Sequence, residues 1–396
     1  MKIVSIIFLL TLLPIQQADT DTNDDFKKLL KNCQSKDNTV RLKSILQLGK
    51  ELPKLESQED KEAAAKILIE KTSDSNSLVN SAANLRVAQN SKTVNEFLGP
   101  FLKDKKFERY GLGCQAIKAV GPEAKKWITE IAYHLDSSER SFRLAALHAL
   151  AVLDGEDLLP LLDKVLPSLD SEDFNIQLSA CRVISKMGPK ARKAGPRLVK
   201  LLEEGNASAR SWASIALGAI GPHEQYDVVE LLEQRLDRFY VIDRERALKG
   251  LAFLGTEATS TLPKIKKLMD DPKKSVQHIA AQTHWKITRN SEPAIDTLIT
   301  LIPSMVHSGD TMDIIAEMGA DGKKAIPEII KQLKHPEATH REAACYALAG
   351  LGNEAVSAIQ PLMEMSQDKD LLVRAVAEMA VDEIQKPAKG SESESQ

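Results

Sequence analysis

Apolar residues recur along this chain at spacings of three, four and seven, in runs that each stop at a regular distance from the last. Gly188 and Gly221 stand thirty-three residues apart, Gly221 and Gly255 thirty-four, and Gly319 and Gly352 thirty-three. The runs end near Gly121, Asp154, Gly188, Gly221, Gly255, Thr288, Gly319, Gly352 and Gln385. Just before those ends stand Val120, Leu153, Met187, Ile220, Leu254, Ile287, Met318, Leu351 and Ile384, all apolar. Three residues further back the column is apolar from Ile117 to Val381 except at His284. Eight residues before the ends it is small, with Gly113, Ala146, Ala180, Ala213, Ala247, Ala280, Thr311, Ala344 and Ala377. These spacings put the columns on one buried stripe of a helix, and the small residues let a neighbouring helix approach closely. A period of this size predicts an all-α repeat array in which each unit is a pair of helices and the second helix ends at the glycine.

A second register carries charge. Asp136, Asp170, Glu203, Asp237 and Asp270 fall in the turn between the helices of a pair, and Arg143, Gln177, Arg210, Arg244 and Gln277 follow seven residues later. Arg341 and Arg374 continue the basic column, where Lys334 and Gln367 replace the acid. A recurring acid and a recurring donor serve what recurs, so the pattern predicts a structural ladder within and between pairs.

The stretches GPKARKAGPRLVKLLEEGNASARSWASIALGAIG, from Gly188 to Gly221, and GADGKKAIPEIIKQLKHPEATHREAACYALAGLG, from Gly319 to Gly352, resemble HEAT repeats of the short, lyase-associated type. That family has a proline in its first helix, matched by Pro196, Pro263, Pro327 and Pro361. The resemblance implies a right-handed α-α superhelical solenoid of about eleven helix pairs. Residues 24–385 would form it, with divergent units over 24–99 and regular units over 100–385. Upstream, Asp37 to Gly49 and Ser77 to Ala88 read as degenerate units. Ser308, Asp310 and Thr311 depart most from the pattern and predict looser packing in the ninth pair.

Both ends lie outside the pattern. Residues 1–18 place Lys2 before an apolar run from Ile3 to Leu13, then Pro14 and a polar stretch, which is the layout of a secretory signal peptide and too short to span a bilayer. It predicts an extracytoplasmic protein, periplasmic or secreted, with no transmembrane segment after signal removal. Residues 386–396 lack apolar periodicity and read as a disordered tail. Export invites a disulfide reading of the four cysteines, but Cys114, Cys181 and Cys345 fall in equivalent columns of pairs at least two units apart. Helices about 8–10 Å apart cannot bring such residues within disulfide reach, so they are expected as buried thiols. Cys33 stands apart from the pattern.

With 53 Lys and Arg against 56 Asp and Glu, the net charge is −3, which gives no electrostatic footprint for nucleic acid. No phosphate loop, nucleophile motif or paired-cysteine zinc pattern is present, so no enzymatic activity, cofactor or metal is expected. In HEAT arrays the second helices line a concave face, and the resemblance carries that to positions ten, six and three before each end. His148, Arg182, Lys249, His278, Gln282, Trp285 and Tyr346 are the candidates there for binding another protein or an extended peptide, since Trp, Tyr and Arg are enriched at binding hot spots.

Other features read more blandly. His284 is expected as a hydrogen-bonded core histidine, and His307, Asp310, Asp313 and Glu317 as a solvated helix face that a metal would share only with further ligands. His223 with Glu224 resembles one dyad of HEAT-type di-iron hydroxylases, which need several. Asn206 to Ser208 is a glycosylation sequon or a polar turn. Lys125, Lys190, Lys193, Lys264, Lys266 and Lys324 belong to a lysine stripe on the first helices, where membrane-surface attachment is the alternative to a solvated face. The family resemblance adds one more alternative, an accessory subunit of a phycobilin-type lyase that attaches a chromophore.

Overall fold

The computed structural model describes residues 22–304 and 308–386; the signal-peptide segment, His307 and the tail beyond Lys386 lie outside them. The described residues form eleven helix pairs and no named β-strand. The second helices of the pairs are α1 (Asn38–Glu51), α2 (Ser77–Gln89), α3 (Phe107–Val120), α4 (Arg140–Leu150), α5 (Phe174–Met187), α6 (Ala207–Ile220), α7 (Val241–Leu254), α8 (Lys274–Thr288), α9 (Ser308–Glu317), α10 (Ala338–Gly350) and α11 (Leu371–Gln385). The chain divides into two compact units, one up to Ile220 carrying α1 to α6 and one from Gly221 carrying α7 to α11. Within each unit, successive second helices pack on one another, except that α8 and α9 lie less closely and meet through His278 and Thr311, the looser packing expected at the ninth pair.

Seven of the eleven second helices stop for a backbone reason. Gly121, Gly188, Gly221, Gly255, Gly319 and Gly352 all have positive φ, between 55° and 79°. At Gly188 ψ is −149° and at Gly255 −129°, a region open to glycine alone, because a Cβ there meets the adjoining carbonyls. After α8 the chain turns instead at Arg289, which is left-handed at φ 52°, ψ 22°. In five of the regular pairs the first helix then opens as a 3-10 turn and continues as α-helix. Gly188–Ala194 runs into Gly195–Glu204, and Pro196, Pro263 and Pro327 sit in the first turn of the α-helical part, where no hydrogen bond is lost.

The predicted stripe is the core. The column before each end is buried throughout, as are all the small residues eight positions back. Thr311, the odd member, is fully buried and bonds across pairs, its hydroxyl 3.0 Å from His278 Nδ1. Cys33, Cys114, Cys181 and Cys345 are free and buried, and burial pushes the Cys181 thiol up to about 12. His284 is buried in its apolar column, but its Nδ1 has no hydrogen-bond partner among the described residues, so the expected hydrogen bond to the ring is not made there. Burial, with Lys266 nearby, depresses its pKa and favours the neutral ring.

The charge ladder is present, with different acids from those expected. Arg341 Nη1 donates to the carbonyls of His335 and Pro336 in its own turn at 2.8 and 3.0 Å, while Nε and Nη2 fork onto Asp368 of the next pair, both at 2.7 Å. Arg41 repeats this with Ser35, Lys36 and Asp74, and Arg244 with Arg238, Phe239 and Asp271. The acid is therefore Asp271 rather than Asp270. Asp74, Asp271 and Asp368 each also accept a backbone N–H from two residues on, which fixes the carboxylate beneath the arginine. The expected acids Asp170 and Asp237 instead pair with Arg197 and Lys264 on the following first helix, 2.8 and 2.9 Å away.

Candidate partner-binding surface

In the unit up to Ile220, three basic side chains follow one another on successive second helices: Lys118 on α3, His148 on α4 and Arg182 on α5. Lys118 and Arg182 are exposed and His148 is half-buried. Between α3 and α4 lies a cleft of ≈ 310 Å³ whose walls include Phe107, Gln115, Lys118, Leu144 and His148. Arg140 borders its other side and is held by an ion pair to Asp173. Local crowding and the field of Arg182 hold the Lys118 ammonium below the ordinary lysine range, with the Cys114 sulfur opposing. Burial, then Lys118 and Arg182, push the His148 imidazolium down as well. No carboxylate is among the described groups acting on either residue. Arg182 stands over the Trp212 ring, 5.5 Å from its centroid, which holds the guanidinium in place by cation–π attraction.

The unit from Gly221 has a different character. Lys249 is half-buried on α7, where burial, Arg246 and Lys286 lower its pKa against the opposing Glu245 and Asp310. On α9, burial raises the Asp313 carboxyl, helped by Asp310 and Glu317. Tyr346 on α10 is 41% exposed beside the buried Glu342, and Gln282 is half-buried. Acidic groups thus gather around this face, where Lys118, His148 and Arg182 make the other one basic.

Two candidates are not surface residues. His278 and Trp285 are 8% and 7% exposed. His278 stands ten residues before its helix end, and it meets Thr311 of the small column on the next second helix. Ser211 and Glu342, at the same position in their pairs, are buried too. At these three pairs packing turns the position inward, which single-helix geometry does not contain, whereas Leu144, Leu178 and Glu245 at the same position are half-buried. Trp285 keeps one visible contact, with Arg289 over its ring at 5.2 Å. Trp212, Phe107 and Arg140 belong to the basic face and were not singled out by the pattern; their signal was adjacency to the ten-back and six-back positions on neighbouring helices.

The remaining features resolve locally. His223 stacks on Tyr226 with ring centroids 4.4 Å apart, at a cleft of ≈ 550 Å³, and no group of three potential metal ligands is found among the described residues. The lysines of the first helices meet carboxylates of neighbouring pairs, as in Lys190 to Glu156 at 3.3 Å, Lys193 to Asp163 at 2.5 Å and Lys324 to Asp296 at 2.6 Å. Much of the stripe's charge is therefore matched locally. Among the described residues no helix is long and apolar enough to cross a membrane.

These observations define a class first: an all-α array of stacked helix pairs that offers side chains on its second helices and holds its pairs together with recurring ion pairs. Residues 312–382, which cover α10 and most of α11 with the first helices before them, match the family of HEAT repeats. The chain is also similar to a crystal structure of Kap121p, at 12% identity, and to one of a Kap121p mutant, at 11%, each with a TM-score of 0.43. Each similarity covers 97% of this chain and 50% of the other, so the chain spans about half the length of those proteins. No curated protein sequence matches it.

Proposed function

We propose that this chain is a non-catalytic scaffold, exported by its apolar amino-terminal segment, that holds an extended acidic segment of a partner protein against α3 to α5. The observation that carries the reading is the line Lys118, His148, Arg182. Three basic groups lie on consecutive helices: beyond the effect of burial, Arg182 disfavours the charged form of Lys118, and Lys118 and Arg182 together that of His148, with no described carboxylate relieving either. Such a line is electrostatically unfavourable in the free protein, and a ligand carboxylate removes the penalty. The cleft beside it adds apolar walls in Phe107 and Leu144, which suits an acidic segment that also carries an aliphatic or aromatic side chain. Export rests on the sequence of residues 3–13 alone.

A fluorescent peptide alternating glutamate with leucine tests this by anisotropy against the full chain, beside a peptide with glutamine for glutamate. The acidic peptide is expected to bind, and Lys118→Glu with Arg182→Glu to weaken it at least about tenfold, the scale of losing one close charge pair of ~1.5 kcal/mol or more. Equal binding of both peptides, or an unaffected double variant, sinks the proposal.

A further inference from the structure

The turn that leads into α7 breaks a rule kept by the other described turns leading into second helices. The two residues before the helix are Lys36 and Asp37, Ser75 and Asn76, Glu172 and Asp173, or Lys369 and Asp370, and the remaining described turns likewise use polar, charged, glycine or proline residues. Several of these cap the helix: Asp37, Asn76, Asp173 and Asp370 accept its first backbone N–H groups. Before α7 stand Phe239 and Tyr240, 89% and 63% exposed, and Tyr240 makes no side-chain cap. Their rings meet edge to face, 5.7 Å between centroids. The chain has placed two large rings in water here, at a cap position that carries a polar or charged residue in the other described turns.

The turn is nonetheless held firmly. Arg244 Nη1 donates to the carbonyls of Arg238 and Phe239, and its Nη2 reaches Asp271 in the following turn at 3.2 Å. That second turn carries Lys273 and Lys274, so two lysines and Arg238 flank the rings. All three are exposed, and none makes an ion pair among the described residues. The acids nearby are largely occupied, Asp271 by Arg244 and Asp237 by Lys264, with Asp270 exposed at the border.

From this placement we infer that the Phe239–Tyr240 turn docks the protein on an anionic phospholipid surface, the rings entering the interface and Arg238, Lys273 and Lys274 meeting the headgroups. Charge and exposure favour this occupant: two rings in water among three exposed cations suit a soft apolar phase with anionic headgroups. The inference is independent of the basic face on α3 to α5, which lies in the other unit.

Co-sedimentation of the full chain with vesicles of phosphatidylcholine alone and of phosphatidylcholine with phosphatidylserine tests it. Binding is expected to the mixed vesicles only, to fall as salt rises, and to weaken at least about tenfold in Phe239→Ser, Tyr240→Ser, whose melting should match the parent because both side chains are exposed. A Tyr240→Trp chain should shift its emission to the blue on the same vesicles, and Lys118→Glu with Arg182→Glu should bind them like the parent. Absence of binding to the mixed vesicles, equal binding by the serine variant, or loss of self-association in its place would overturn the inference, the last in favour of a second copy of this chain.

Discussion

Arg341 grips both carboxylate oxygens of Asp368 at 2.7 Å across the boundary between two helix pairs, and both side chains are nearly buried, at 5% and 8% exposure. The same guanidinium satisfies two turn carbonyls, so its loss strips a buried carboxylate and two acceptors at once. Arg341→Ala is expected to destabilise the chain by about 3–5 kcal/mol, the cost of breaking a buried pair from one side. Chemical denaturation reads this directly, and a loss below about 1 kcal/mol would reduce the pair to a surface contact.

The same ladder sets the acid limit. Burial raises the Asp368 carboxyl, but Arg341 and the backbone N–H of Asp370 outweigh it and hold it below its ordinary 3.8, and Asp74 is held down likewise by Arg41, Asn76 and Lys71. A carboxyl depressed on folding stabilises above its unfolded value and loses that contribution as pH falls through the folded one. Stability should therefore be level above about pH 4 with respect to these groups and decline below it. In Arg341→Ala the decline should be shallower, which urea titrations across that range would measure.

His148 supplies a proton linkage of opposite sign. Burial, Lys118 and Arg182 hold its pKa below the ordinary 6.5, and a bound carboxylate would offset the two cations and raise it. Binding then takes up a proton, so affinity for the acidic peptide should rise as pH falls through the His148 pKa in the complex and level off below that of the free protein. His148→Gln should flatten the profile while leaving α4 folded. A parent profile already flat between pH values about 5 and 8 would remove His148 from the site.

Arg86 is a buried arginine with no acid partner among the described residues. It occupies a buried position on α2 of the kind that carries apolar residues elsewhere, 5% exposed, and its Nη1 donates to Gln89 at 2.6 Å while Nε and Nη2 have no described partner. Burial lowers its pKa. Space for it comes from Gly49 on α1, where a Cβ would lie 2.3 Å from Arg86 Cδ. Arg86→Met keeps the stem's packing and removes the unsatisfied nitrogens, and is expected to stabilise the chain by about 1–3 kcal/mol in thermal or urea unfolding. Gly49→Ala should destabilise it. A destabilised Arg86→Met would show that the guanidinium has a partner in solution.

These residues mark where the sequence could be read and where it could not. The period, the core columns and the ends of the second helices were legible because each repeats, and repetition turns weak local signals into a register. Gly49 and Arg86 were not, since their fit is a single event between two divergent helices. The ladder was legible as a pattern, while its partners were displaced by one residue: which of Asp270 and Asp271 faces Arg244 depends on the turn's backbone and not on charge spacing. On the basic face, Arg182 and His148 were found from helix geometry. His278 and Trp285 were misplaced because the same geometry omits the neighbouring groups that bury them, among them Thr311 of the next helix against His278.

The glycine column gives the sharpest contrast in backbone energetics. Gly255 ends α7 at φ 55°, ψ −129°, with nothing within 4 Å of an added Cβ, so a substitution there tests the dihedral and not packing. Gly255→Ala should cost about 1–3 kcal/mol, the usual penalty for a side chain in that region. Arg289 ends α8 at φ 52°, ψ 22°, a left-handed conformation that a non-glycine residue tolerates with less strain, and its guanidinium covers the Trp285 ring. Arg289→Gly relieves the backbone by about 1 kcal/mol and forfeits a cation–π contact of about 0.5–1 kcal/mol, so it should be nearly neutral. Urea unfolding of the two variants side by side separates the effects. If Gly255→Ala is also neutral, the glycines mark where the helices stop without being what stops them, and the reversal must be set by the 3-10 turn that follows.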